Sequence, residues 1–207
     1  MGKINLNEMK WMNDPERFIV NENEIIIETS PYTQLWSRTY FKCVCANAPM
    51  LILPVEENFT FSAKVNYVFN EVNDQAGIII YANSDNYLKA CVQCLDSSTN
   101  LLSTTLTHHG YSDIASREIG SGVAYMYFRL SHRDGDFLIE NSFDGVHYKH
   151  MRMFHLKMRE GYFNVGVFAC SPYNSSFDAK FSKLSIDDCI WPEYKKGEIR
   201  LWNSKID

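Results

Sequence analysis

Gln34, Trp36, Gln75, Tyr81, Tyr87, Lys89 and Gln93 are residue types that together hold a sugar. Aromatic rings take the apolar face of a pyranose, and planar amides or an ammonium reach its hydroxyls. Ser112 and Asp113, in the polar stretch His108-His109-Gly110-Tyr111-Ser112-Asp113, read as part of a loop overhanging such a groove. Arg152 and Tyr173 could join from neighbouring loops. Hydrolysis would require two carboxyl groups roughly 5 to 9.5 Å apart across the scissile bond. No Glu-x-Asp-x-Glu string supplies them, and Glu71-Val72-Asn73 begins such a pattern and fails. Asp74 and Asp113 are the acids expected near the groove, Asp74 more as a turn residue bonding its own backbone. No catalytic residue is therefore assigned.

Other chemistries find less support. His108 and His109 sit beside Ser112 and Asp113 in sequence, but adjacent residues rarely build a triad and no Gly-x-Ser-x-Gly elbow is present. Glycine-rich phosphate loops and dinucleotide fingerprints are missing too, so no cofactor is expected. Cys43-x-Cys45 and Cys91-x2-Cys94 could in principle supply a tetrahedral zinc site. They lie in apolar or strand-like stretches without knuckle glycines, and all six cysteines read as reduced structural thiols, with no metal.

The elements that must position the sugar-type residues are strands. Phe59, Phe61, Ala63, Val65, Tyr67 and Phe69 occupy every second position, the period of a half-buried strand. Ala76 to Tyr81 and Tyr87 to Gln93 follow across short polar breaks, which suggests three consecutive antiparallel strands. In the last two, Ala76, Ile78, Ile80, Leu88, Ala90 and Val92 face a core. Gln75, Gly77, Ile79 and Tyr81, with Tyr87, Lys89, Cys91 and Gln93, then share the opposite face, a candidate groove floor. The same alternation also fits a sheet face covered by a loop, with Trp36 and Tyr87 as packing and Lys89 paired to Asp74 or Asp113.

Further along, Ile25 to Ile27, Tyr40 to Val44, Leu101 to Thr107, Tyr125 to Ser131, Phe137 to Ser142 and Tyr162 to Cys170 read as strands. Asp134-Gly135 and Asp144-Gly145 mark hairpin turns. A last long strand from Phe177 to Ile186 carries an expected bulge near Ser182-Lys183. Pro49 and Pro54 flank Met50 to Leu53 and argue for a loop or edge segment there. Arg152 to Arg159 is mildly helical. Many short strands with turns every eight to twelve residues predict an all-β, two-sheet sandwich over residues 1–192. Residues 193–207 read as a tail whose Ile199, Leu201 and Trp202 could dock on a surface.

Length, charge and composition set limits around this reading. The 207 residues fit one large domain, and 45% hydrophobic with 14% aromatic residues suffices for its core. A net charge of −5 with dispersed basic residues disfavours nucleic acid and anionic membrane. No charged-then-apolar leader opens the chain and apolar runs are strand-length, so cytoplasmic residence is expected.

Several strings in order resemble a family of unknown function with a concanavalin A-like lectin/glucanase fold, which includes the yeast "regulation of enolase" protein. They are Trp11 with Asn13-Asp14-Pro15-Glu16, Thr33-Gln34-Leu35-Trp36, Asp74-Gln75-Ala76-Gly77, Tyr87-Leu88-Lys89-Ala90, Ser112-Asp113, Ser142-Phe143-Asp144-Gly145 and Cys170-Ser171-Pro172. The resemblance implies a concanavalin A-like jelly roll of two antiparallel sheets whose concave side could bind sugar. Departures accompany the matches: Gln34 and Gln93 fall where the family pattern usually has acids, and Ile114 where it has tryptophan. An amide bonds a sugar hydroxyl but does not transfer a proton as a carboxyl does. The expected function is a non-catalytic carbohydrate-binding or regulatory module, with a saccharide ligand and a protein partner or second copy as candidate partners. Glycoside hydrolysis and a pure protein-interaction role are the alternatives.

Overall fold

The structure, a computed structural model, describes residues 2, 4–56, 58–156 and 163–194. The described chain is all-β apart from a single 3-10 turn at Leu6–Glu8. In order the strands are β1 (Lys10–Met12), β2 (Arg17–Val20), β3 (Glu24–Glu28), β4 (Leu35–Ser37), β5 (Val44–Ala46), β6 (Met50–Val55), β7 (Phe59–Tyr67) and β8 (Gln75–Asn83). They continue as β9 (Asn86–Cys94), β10 (Thr99–His108), β11 (Tyr111–Gly120), β12 (Tyr125–Arg133), β13 (Asp136–Ser142), β14 (Lys149–His155), β15 (Phe163–Cys170) and β16 (Asp178–Asp188).

Two antiparallel seven-stranded sheets form a sandwich, one in the order β1-β6-β15-β8-β9-β10-β11 and the other β14-β13-β12-β7-β16-β3-β2. Their facing sides bury Phe61, Val65, Ile78, Leu88, Val92, Phe128, Ile139, Val167 and Phe181 in one core. Period-2 alternation is the cause: a strand with apolar residues at every second place has a dry side only where a second sheet covers it. Among the described residues no helix is long and apolar enough to cross a membrane.

Several local expectations change. β7 does not pair with β8; it lies in the opposite sheet between β12 and β16, so the chain crosses between sheets after Tyr67. Alternation defines a strand's faces but not its neighbour. Met50–Val55 is an inner strand between β1 and β15, and Pro54 is accommodated because β1 pairs only with Met50 to Ile52. The missing Pro54 N–H thus falls beyond that ladder. The polar stretch 108–113 is not a loop: β10 and β11 run as a ten-residue hairpin turning at His109-Gly110. Lys149–His155 is an edge strand, not a helix, and residues 157–159 of that patch lie outside the described residues. The bulge between Ser182 and Ser185 is present, with Lys183 at φ 54. Ile199, Leu201 and Trp202 lie outside the described residues.

Candidate functional site

Register fixes which candidates share a face. Gln75 pairs with Gln93, Tyr81 with Tyr87, Lys89 with Thr105, and Thr107 with Ser112, so all these side chains stand on the outer face of the first sheet. Asp113 does not. It follows Ser112 on a strand and therefore points between the sheets, where its carboxylate meets Arg152 of β14 in two hydrogen bonds of 2.9 and 3.1 Å. Arg117 does the same toward Asn141 at 2.8 Å, and together these links close one open edge of the sandwich. Asp113 and Arg152 are thus edge fasteners lying away from the outer face.

A strap covers the middle of that outer face. Residues 33–48, with the small β4–β5 hairpin, lie across it and bury Leu35 and Ala48 against Met50, Ile52, Ile79, Tyr81, Tyr87, Cys91, Phe168 and Cys170. The result is a second apolar core. Ser37 N donates to Ser112 Oγ at 2.8 Å, Ser37 Oγ donates to the Gly110 carbonyl, and Arg38 reaches the same carbonyl. Ser112 therefore anchors the strap. Trp36 is buried within it, its indole N–H given to the Thr39 carbonyl at 2.8 Å and its ring set edge-on to Phe41. Tyr81 and Tyr87 pack as paired rings 6.2 Å apart beneath the strap.

Lys89 is 3% exposed, and its Nζ donates to Gln75 Oε1 at 2.7 Å. The pairing with Asp74 or Asp113 that the covered-face alternative gave to Lys89 is not made. Asp74 is buried; its Oδ2 accepts from the backbone N–H groups of Asn70 and Glu71 and from Ser175 Oγ. Around Lys89, burial drives the Cys91 and Cys170 thiols up from an ordinary 9.0, Cys170 to about 12. Both shifts favour the neutral thiol. As pH rises from 9.0 toward about 12, unfolded chains lose these protons while the folded chain keeps them, so stability falls across that window. Urea midpoints at about pH 8 and about pH 10.5 should show this decline, and C91A/C170A should lessen it.

Beyond the strap, the end of the face opens. Gln93 donates to Asn73 Oδ1, and Asn73 Nδ2 donates to the Tyr173 hydroxyl at 3.3 Å. Tyr173 is 51% exposed and Tyr32 67%. Their backbones are joined by Tyr32 N donating to the Tyr173 carbonyl, and Asn47 Nδ2 donates to the Tyr32 carbonyl at 3.0 Å. Tyr32 is held at φ 61, a costly conformation for a large side chain. Gln34 sits two residues on, its backbone N–H received by Asn47 Oδ1. Sequence reasoning found Gln93, Tyr173 and Gln34 but missed Tyr32, Asn47 and Asn73.

Carboxylates are sparse here. Of the residues that the seven strands turn to this face, Glu118 on β11 is the acid, with Gln75 and Gln93 nearer the mouth. Cys43 and Cys45 place their sulfurs 3.7 Å apart, and no group of three or more metal-type ligands occurs among the described residues.

Residues 11–189 match a family described as "Protein of unknown function (DUF1349)". The Saccharomyces cerevisiae "Regulation of enolase protein 1" is 25% identical over 181 residues, taking in 87% of this chain and 90% of that one. The crystal structure of a functionally unknown protein from Saccharomyces cerevisiae superposes with a TM-score of 0.83 at 24% identity, covering 91% and 99% of the two chains. The GH43 BlXynB protein of Bacillus licheniformis gives 0.62 at 15% identity over 84% of this chain but 35% of its own. A legume lectin-like domain from Entamoeba histolytica gives 0.56 at 10% identity over 88% and 91%. The shared fold is the lectin-like, concanavalin A-type jelly-roll sandwich.

Proposed function

We propose, from the premise that this chain belongs to the DUF1349 family of proteins of unknown function, that it is a cytoplasmic, non-catalytic saccharide-binding module. The site is the open end of the strapped sheet. What carries the reading is the exposed, backbone-strained Tyr32 beside Tyr173, with the Asn73–Gln93 amide pair between the rings and the sheet. Rings held rigidly in water lose little freedom on binding, and planar amides both donate to and accept from hydroxyls. Gln34 adds a third amide at the rim. Gln75 and Lys89, beneath, fix the amide floor without touching the ligand, and Trp36, Tyr81 and Tyr87 hold the strap that frames it. Glycosidase chemistry is disfavoured by a single strand-borne carboxylate on this face, because cleavage requires two. The fold-level likeness to a lectin-like domain supports binding as analogy.

Calorimetry of the chain against a panel of neutral oligosaccharides tests this. Saturable heat with at least one glycan is expected, and Tyr173→Ala should weaken it about tenfold, the size of one aromatic contact. Silence across the panel, or release of shorter sugars from it, would overturn the reading. A second reading, a regulatory module docking a protein, rests on the strap tip. Tyr40, Phe41 and Val44 are exposed there in a hairpin whose Arg38, Tyr40 and Lys42 all have positive φ. The name of the yeast relative is in keeping with such a role.

A further inference from the structure

The strap carries a pair of thiols that the hairpin itself does not need. Cys43 and Cys45 bracket Val44 on the second arm of the β4–β5 hairpin, so their side chains leave the strand on one side. Cys45 Sγ donates to Cys43 Sγ across 3.7 Å, and Cys43 is exposed while Cys45 is half-buried. Proximity and access therefore coincide. The other four cysteines differ: Cys91 and Cys170 are enclosed, and Cys94 and Cys189 give their S–H groups to the carbonyls of Asp96 and Trp191. Trp36 is the cross-strand partner of Cys45, and Phe41 stands edge-on to its ring, so aromatic carbon flanks the pair.

Two thiolates on one short arm are a chelate for a soft cation. Which cation is decided by what is missing. Among the described residues no third histidine, cysteine or carboxylate joins the pair, so zinc, which takes four ligands in a structural site, would be left half bare. The expectation of no metal concerned such a four-ligand site; a two-coordinate ion asks for this pair alone. With metal–thiolate bonds of about 2.3 Å, a linear ion spans sulfurs about 4.6 Å apart, which a small swing of either side chain provides without moving the hairpin backbone. We propose that Cys43 and Cys45 bind one monovalent copper ion between their sulfurs. Two S–H bonds ionise, two Cu–S bonds form and two protons leave to water; copper enters and stays as Cu(I), so no electron moves. Burial, then the bond to Cys43 and its charge, push the Cys45 thiol up, so it keeps its proton until a cation displaces it. Neither thiol belongs to the saccharide mouth, and the assignment does not rest on that reading.

Anaerobic titration of the full, reduced chain with Cu(I) against the coloured chelator bicinchoninate tests the assignment. The chain should withdraw about one ion per molecule and remain monomeric, and loading should shield two thiols from a thiol-counting reagent. Cys43→Ser and Cys45→Ser should each weaken retention by more than about a hundredfold, the upper cost of losing even an outer partner of a metal ligand. Cys189→Ser should leave retention and the shielding of two thiols unchanged. Urea midpoints of the two strap variants close to the parent would show that the hairpin survives the change, and a variant that unfolds is replaced by alkylation of Cys43 on the intact protein, which should abolish retention. No withdrawal of copper, withdrawal that survives the loss of either strap thiol, or withdrawal lost with Cys189→Ser would each overturn the proposal. So would zinc held as tightly as copper, or one ion shared by two chains, because both require a four-ligand site.

Discussion

Gly77→Ala is expected to cost about 3 kcal/mol or more, the top of the range for overpacking, and to lower soluble yield. A Cβ at Gly77 would lie 2.0 Å from the Ala90 carbonyl oxygen and 2.6 Å from Cys91 Cα. Both obstacles are backbone of the adjoining strand. A flexible side chain could swing aside, but here β8 and β9 would have to part in the middle of the sheet, breaking the ladder that carries Gln75, Lys89 and Gln93. Gly120→Ala is the control. Nothing lies within 4 Å of a Cβ there, so its urea midpoint should stay within about 0.5 kcal/mol of the parent. A Gly77→Ala protein as stable as the Gly120→Ala protein would show that the two strands have slack.

Gly77 also illustrates what the sequence could disclose. Alternation in 75–81 and 87–93 assigned each side chain to its face, because a strand's two sides are dictated by chain geometry alone. What lies over a face is decided elsewhere in the chain. The strap is written in Leu35, Trp36 and Ala48, which cover side chains as near in sequence as Met50 and as far as Cys170, and short apolar runs carry no address. Its path also depends on Arg38, Tyr40 and Lys42 at positive φ, a conformation signalled by glycine or asparagine, neither of which occupies those positions. Edge strands were hard to see for a related reason. β11 and β14 bury little of either face, so their residues carry weak alternation and resemble loop or helix. Of the candidate site, the amides at 34 and 93 were legible as a departure from an acidic pattern, and Gln75 from its place on the alternating face. Asp113 was misplaced because Ser112 and Asp113 look like a unit in a loop and are opposed on a strand.

Lys89 supplies the other large effect. Its side chain sits under the strap with one neutral acceptor, Gln75 Oε1, beside the Phe168 ring at 5.7 Å and across from Thr105, whose Oγ1 is itself enclosed without a partner. A charge taken out of water is recovered by attraction to a carboxylate or by several hydrogen bonds, and among the described residues Nζ has neither. Lys89→Met keeps an unbranched side chain of similar length and removes the charged end. It should raise the unfolding free energy by about 1–4 kcal/mol, the gain seen when buried charges give way to apolar residues. Lys89→Ala removes the length as well and should lose stability by about 2–3 kcal/mol through the void it leaves. If Gln75 owes its orientation to Lys89, the methionine variant will be more stable and yet bind saccharide less well, the trade expected where a polar group is kept for function at a cost to the fold. Urea unfolding and calorimetry on one preparation read both. A less stable Lys89→Met protein would mean that the amine has an anionic partner in solution, and the neutral floor assigned to this site would be wrong.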